Sequence, residues 1–471
     1  MEKILPDPLP DILFGSSDTA RSRAIGHAVK AGKLRKLTSR IYTSNLQDPP
    51  EAIITRNQYL ILGELFPHAI LSHRTALEGG QTPEGTIFLT YSYTKNIRLP
   101  GLMVRLIKGH GPTTGDMPFM GTLYLASRAR AYLENLQTSR SRSGVSKTLS
   151  KEEIEHKLEN ICRIHGASEL NKLRDQARSI APTLGLDHEF ILLDRLIGAI
   201  QGTHDIKELR SERARARAIG EPYDPYRAEL FAHLAAALKT QILAKRKNTS
   251  IKPTAVKNIT FFEAYFSNYI EGTQFLVEEA ADIVFRHKII AGRRADTHDV
   301  TGTYHIVSSI KEMQHTPHSI AELIKLLQTR HARMMAERLD VNPGQFKEKT
   351  NRAGETVFVT PELVRGTLKK GFEFYTTLDP GIARAMFMMF LIAEVHPFMD
   401  GNGRIARIMM NAELVAADEM RIIIPTVFRE DYLLALRCLS RLQDARPYVR
   451  MLDRACPIRQ KTYKFNELCV N

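Results

Sequence analysis

Along Ile382–Ala417 the hydrophobic pattern changes character twice. Ala385 through Ile392 are apolar without a break, so a helix here has no polar face and must be buried all round. It is too short to span a bilayer, which needs about 20 apolar residues, and Arg384 and Glu394 flank it closely. Polar and glycine residues follow from His396 to Arg404. Then Ile405, Ile408, Met409, Leu414 and Val415 predict a second buried helix, with Arg404, Arg407 and Asn411 spaced as one polar stripe along it. Two buried helices holding a charged, glycine-rich loop between them make a site.

Elsewhere the periods predict other elements. Thr19–Lys30 reads as a helix with Gly32 as its C-cap, and Leu34–Thr43 alternates apolar and basic residues like a short hairpin. Ile87–Thr94, Ile97–Leu99 and Met103–Lys108 read as strands. Leu136–Thr148, rich in Ser and Arg with Gly144, reads as a linker. Lys151–Lys247 is mostly helical, with Phe231, Leu234, Leu238 and Ile242 along one stripe, and the Arg- and Glu-dense Glu208–Arg217 reads as a solvent-facing helix.

At 471 residues the chain has room for roughly two to four domains. Its formal net charge of +14 suggests an acidic partner without fixing a fold. No apolar stretch reaches membrane length, and MEKILPDPLPDILFG lacks the basic region and apolar core of a secretion signal. Cys162, Cys438, Cys456 and Cys469 show no metal-ligand spacing, so the expectation is a reduced, cytoplasmic protein without a membrane partner.

The chemistry of the loop follows from its residues. Gly401 and Gly403 allow unusual dihedrals and leave no side chain in the way. N–H groups opening the second helix then favour an anion, and Arg404 and Arg407 add forked donors suited to phosphate. Asp400 is a hard oxygen ligand for Mg²⁺ carried on phosphates, and His396 can take a proton near neutral pH. The sum is a nucleotide-dependent transferase or hydrolase.

The run HPFMDGNGRIAR resembles the signature of the Fic family, H-x-F-x-[D/E]-G-N-G-R-x-x-R, at every fixed position. The resemblance implies transfer of AMP from ATP to a hydroxyl side chain of a target protein, this chain itself included. It makes His396 the base and Asp400 the Mg²⁺ ligand. Gly401, Asn402 and Gly403 would form the anion hole, and Arg404 and Arg407 would hold the distal phosphates.

Upstream, Ser267, Asn268, Tyr269, Ile270, Glu271 and Gly272 resemble the Fic inhibitory motif [S/T]-x-x-x-E-[G/N] in its N-terminal, same-chain position. Ser267 and Glu271 lie one helical turn apart, and Gly272 can close the helix. A Glu271 carboxylate held on Arg407 would remove the arginine that the γ-phosphate needs. His298–His305 and Ser319–Met335 look like early helices of the same core, with a turn at Asn342–Phe346. The short strand through Val357, Phe358, Val359 and Thr360 resembles the family's flap, which pairs with an extended target segment. Lys347 stands where many members carry Arg. Tyr432, in a stretch similar to the family's Y-x-x-A-L helix, either lines the nucleotide site or is a core residue.

At the other end, the helix and basic hairpin (Lys30, Lys33, Arg35, Lys36, Arg40) resemble the winged helix of AbiEi-type antitoxins, and Leu71–Leu77 is similar to that family's S-x-x-[ST]-A-L stretch. This resemblance implies DNA as a partner; a basic, solvated hairpin is the alternative. His73 and His110 read as structural or surface residues. The expected fold is mainly α: an all-helical Fic core with a small β-hairpin flap, preceded by an α+β region. The expected order is a winged-helix-like module (1–60), a small α+β domain (61–136), a linker (137–150) and a helical region packed on the core (151–250). The Fic domain with its inhibitory helix (251–455; 261–272) and a tail (456–471) follow. The competing function is a DNA-binding regulator whose Fic domain senses nucleotide or is inactive. Within the enzyme reading, Glu271 could instead orient a water so that the site removes AMP.

Overall fold

The computed structural model describes residues 5–139, 144–248 and 253–455. The chain divides into two compact units, Met1–Ile219 and Gly220–Asn471. The helical segment expected over 151–250 is therefore split, with the helices up to Ala218 in the first unit and Pro225–Thr240 in the second. The tail from 456, with Cys456 and Cys469, lies outside the described residues; Cys162 and Cys438 are free thiols.

The first unit is α+β. Strands β1 (Ile12–Phe14), β2 (Arg35–Thr38) and β3 (Ile41–Thr43) form an antiparallel sheet of order β1-β3-β2. Helix Thr19–Lys30 precedes the hairpin and starts where Asp18 accepts from Arg21 N–H, a side-chain N-cap. A six-stranded mixed sheet follows. Its strands are β4 (Ile70–Leu71), β5 (Thr86–Tyr91), β6 (Lys95–Leu99), β7 (Leu102–Lys108), β8 (Met117–Pro118) and β9 (Tyr124–Leu125), in the order β6-β7-β5-β4-β9-β8. β5 and β7 run parallel with Thr86 beside Met103 and Tyr91 beside Lys108. The alternation of Leu102, Val104 and Leu106 toward the core sets that register.

Two expectations about the first unit need correction. The Ser- and Arg-rich stretch does not behave as a free linker where it is described (140–143 fall outside). The Val145 carbonyl accepts from Arg105, the Lys147 carbonyl from Arg74 N–H, and Leu149 N–H donates to the Asn135 side chain. Nor does the Arg-rich helix, Glu212–Ala218, only face solvent. Arg213 and Arg217 converge on the buried Glu159 of helix Lys151–His165, at 2.5 and 2.8 Å. His73 is buried, with Ser72 Oγ 3.0 Å from its Nδ1.

The second unit is helical around Ile382–Val395, which is enclosed on all sides as its pattern requires. Phe231 of helix Pro225–Thr240 packs edge-on against Phe387 and Phe390. Ile242, expected on that stripe, is exposed because the helix stops at Thr240. Among the described residues, no helix is long and apolar enough to cross a membrane.

Candidate active site

The buried helix Ile382–Val395 ends at His396, whose φ of +53° turns the chain into the loop. The second helix, Asn402–Ala416, begins after Gly401 at φ +76°. A Cβ on Gly401 would also sit 3.0 Å from Met334 Cε and 3.3 Å from His331 Nε2, so both dihedral and space demand glycine. The Asn402 side chain closes the loop, accepting from Phe398 N–H and donating to the Phe398 carbonyl, each at 2.8 Å. It is thus a brace, and only its backbone is left for the anion-hole role expected of it.

His331 props the loop from helix Ile320–Met334. Its ring stacks on Phe398 at 3.8 Å. Gly344 N–H donates to Nδ1, so Nε2 carries the proton and donates to the Asp400 carbonyl at 3.0 Å. Burial pushes this imidazole down to about 4, so it stays neutral. The sequence pattern marked the helix but not this residue.

His396 is covered by Phe358, and its Nδ1 lies 3.4 Å from the Ala393 carbonyl. A proton on Nδ1 leaves the lone pair of Nε2 free to accept one. Burial first, and then the Lys347 charge, push His396 down to about 4. Lys347 is buried against neutral acceptors, the Asn351 side chain at 2.7 Å and the Val395 carbonyl at 3.5 Å. Burial and the Arg227 charge push it down to about 7. Asn351 in turn donates to the Phe398 carbonyl and accepts from Phe358 N–H, tying the segment expected as the flap to the loop.

The segment expected as the flap departs from a four-residue edge strand. A two-residue strand, Thr356–Val357, pairs with Arg352–Ala353. Val357 is exposed, Phe358 lies on His396, Val359 enters the core, and Thr360 opens a short 3₁₀ turn at Pro361. Phe358, stacked on His396, and Val359, buried in the core, end the strand early.

The polar stripe of the second helix meets a matching stripe on helix Pro253–Ile270. Asn411 bonds Glu263, which also pairs with Arg421. Arg407 Nε donates to Ser267 Oγ at 3.0 Å, and its Nη2 donates to the Ser267 carbonyl at 2.8 Å and to Glu271 Oε1 at 2.7 Å. Burial opposes the Arg407 charge, but the Glu271 carboxylate holds its pKa above the ordinary value. Gly272, at φ +94°, ends the helix, and Thr273 N–H returns to the Asn268 carbonyl. That turn places the Glu271 carboxylate over the start of the second helix: a Cβ on Gly403 would lie 2.1 Å from Glu271 Oε1.

Arg404 is held more tightly than its expected phosphate role suggests. Its Nη1 donates to Asp299 Oδ2 at 2.6 Å and reaches Asn268 Oδ1 at 3.4 Å, and its Nη2 donates to Asp400 Oδ2 at 3.2 Å. Its buried Nε has no partner among the described residues. Tyr432 is fully buried beside Arg407; burial raises its phenol pKa against the pull of that charge. Asp299, Asn268, His331 and Asn351 were not marked by the sequence pattern. Of these, only Asn268 had a visible signal, one residue from Ser267.

Residues 299–414 match the model of the Fic/DOC family. The match is confined to that span. The chain is 28% identical over 200 residues to protein adenylyltransferase fic-1 of Caenorhabditis elegans, covering 40% of this chain and 38% of that protein. It is 26% identical over 291 residues to protein adenylyltransferase Fic of Drosophila willistoni, covering 59% and 52%. The chain thus spans about two fifths to one half of the curated relatives it matches. A solved Fic-1 fragment from C. elegans aligns with a TM-score of 0.38 at 21% identity, over 66% of this chain and 86% of that one. The matched span includes Asp299 at its first position and the whole loop from His396 to Arg407, but not helix Pro253–Ile270 or the Glu271 that follows it.

Proposed function

We propose that this chain is a Fic-type protein adenylyltransferase that moves AMP from ATP to a hydroxyl side chain of a protein, and that Glu271 restrains it. The observation that carries this reading is the Glu271 carboxylate, which lies over Gly403 and bonds Arg407. An anion-receptive helix start, flanked by two arginines, is taken by an anion of the chain itself. A triphosphate would compete for that place, and its productive pose requires the carboxylate to leave.

His396, neutral at physiological pH, is suited to take the proton of the attacking hydroxyl as it bonds the α-phosphorus and pyrophosphate departs. Among the described residues no group of three or more His, Cys, Asp or Glu gathers to hold a metal. A Mg²⁺ fits here only as a phosphate-borne ion, held by the half-exposed carboxylate of Asp400, where it would neutralise charge. Of the two roles weighed for Glu271, restraint is favoured over activation of a water because Oε1 is committed to Arg407.

The test is a lysate incubated with ATP labelled at the α-phosphate and the parent, Glu271→Gly or His396→Ala chain. Expected are at least about tenfold more protein labelling with Glu271→Gly, and none with His396→Ala despite retained ATP binding. Equal labelling by all three would overturn the reading.

A further inference from the structure

Asp299 is the most enclosed carboxylate near the site, and it is shared between two arginines. Its Oδ2 accepts from Arg404 Nη1 at 2.6 Å and from Arg338 Nε at 2.8 Å. Arg338 also reaches Asp296 at 2.6 Å, and Asp296 pairs with Arg293 at 3.0 Å. Asp296 and Asp299 stand one turn apart on helix Arg294–Ser308, so both face the same way. Charges therefore alternate from Arg293 through Asp296, Arg338, Asp299 and Arg404 to Asp400 at the loop.

A long arginine side chain loses rotamer freedom when it must meet a ligand in one pose. Arg404 has that freedom removed in advance. The Asp299 bond fixes one corner of its guanidinium, while Nε has no partner among the described residues and Nη2 bonds a half-exposed carboxylate. The charge of Arg404 is thereby largely balanced, which leaves it an aimed donor more than a free cation.

We propose that Asp299 is a positioning residue that presents Arg404 to the phosphates beyond the α-phosphate. The inference rests on the nucleotide reading of the site given above. A carboxylate that only joined two helices would affect all nucleotides alike. One that aims Arg404 affects them according to their phosphate number.

The experiment measures ATP, ADP and AMP binding by calorimetry in the Glu271→Gly chain, with and without Asp299→Asn, and records Tm for each. Asp299→Asn should weaken ATP and ADP about tenfold or more and AMP less than about twofold. Arg338→Met, which removes the outer partner and leaves the Arg404 bond, should keep the ATP-to-AMP preference. An unchanged preference in folded Asp299→Asn overturns the proposal. Should that variant not fold, Asp299→Glu, which keeps the charge and shifts the carboxylate, must show the same selective loss; an unchanged preference there overturns it equally. If the Glu271→Gly chain itself binds no ATP, the nucleotide reading falls together with this one.

Discussion

Phe358 lies flat on His396, the ring centroids 3.7 Å apart and the planes within 7° of parallel. The stack withdraws the imidazole from water, and burial is the largest cause of its depressed pKa. It also holds the ring at a fixed angle above the loop.

Removing that cover should release the imidazole. In Phe358→Ala, the His396 midpoint followed by NMR should rise from about 4 toward its ordinary 6.5. Transfer by the Glu271→Gly form should fall about tenfold or more as the base loses its support. A midpoint that stays near 4 would show that Lys347 and the loop, not Phe358, set the environment.

Gly403 gives a second expectation. A methyl group there would occupy the place where Glu271 Oε1 now lies, 2.1 Å away. Gly403→Ala should push that carboxylate from Arg407, yet it should not mimic Glu271→Gly, because the methyl also fills the space an incoming phosphate needs. ADP binding in Glu271→Gly, Gly403→Ala should be about tenfold weaker than in Glu271→Gly alone. Equal affinity would place the phosphates elsewhere.

Gly401 tests the fold of the loop. Alanine at φ +76° costs about 1–2 kcal/mol of backbone strain, and its methyl would press on Met334, Met335 and His331. Gly401→Ala should lower Tm measurably even without nucleotide. An unchanged Tm would mean that the loop relaxes freely.

The parts of this architecture carried by local chemistry were legible in the sequence. Ala385–Ile392 could only be enclosed, and the helix over Thr19–Lys30 was readable from its pattern, as the Asp18 cap now explains. The bond between Glu271 and Arg407 was expected from the resemblance of Ser267–Gly272 to the Fic inhibitory motif, whereas the bonds of Arg407 to Ser267 were not. What escaped were bonds that only the tertiary fold creates. Glu159 draws Arg213 and Arg217 inward although their spacing suits a solvated face, and His331 looks like any helical histidine until Phe398 and the Asp400 carbonyl meet it. Asp299 is 105 residues from Arg404, and no local period links them.

Glu413 supplies a prediction about pH and stability. It lies in the core on the second helix and accepts the Tyr375 hydroxyl at 2.9 Å. Burial raises its pKa from 4.5 to about 7, against the pull of Tyr375, Arg384 and Arg330. Between those two values the folded chain keeps a proton that the unfolded chain has lost. The stability this group contributes is thus present below 4.5 and is lost as pH rises through 7. His331 and His396 act in the opposite sense: with folded values near 4 and ordinary values of 6.5, their contribution is present above 6.5 and lost as pH falls toward 4. The two effects oppose each other from 4.5 to 6.5, so the parent alone cannot separate them. Glu413→Gln keeps an acceptor for Tyr375 and removes only the carboxyl titration. Its unfolding free energy, measured by urea titration, should gain on the parent by on the order of 1–3 kcal/mol from pH 4.5 to 7, then run parallel above 7. A constant difference across that range would show that Glu413 is ionised in the folded protein throughout.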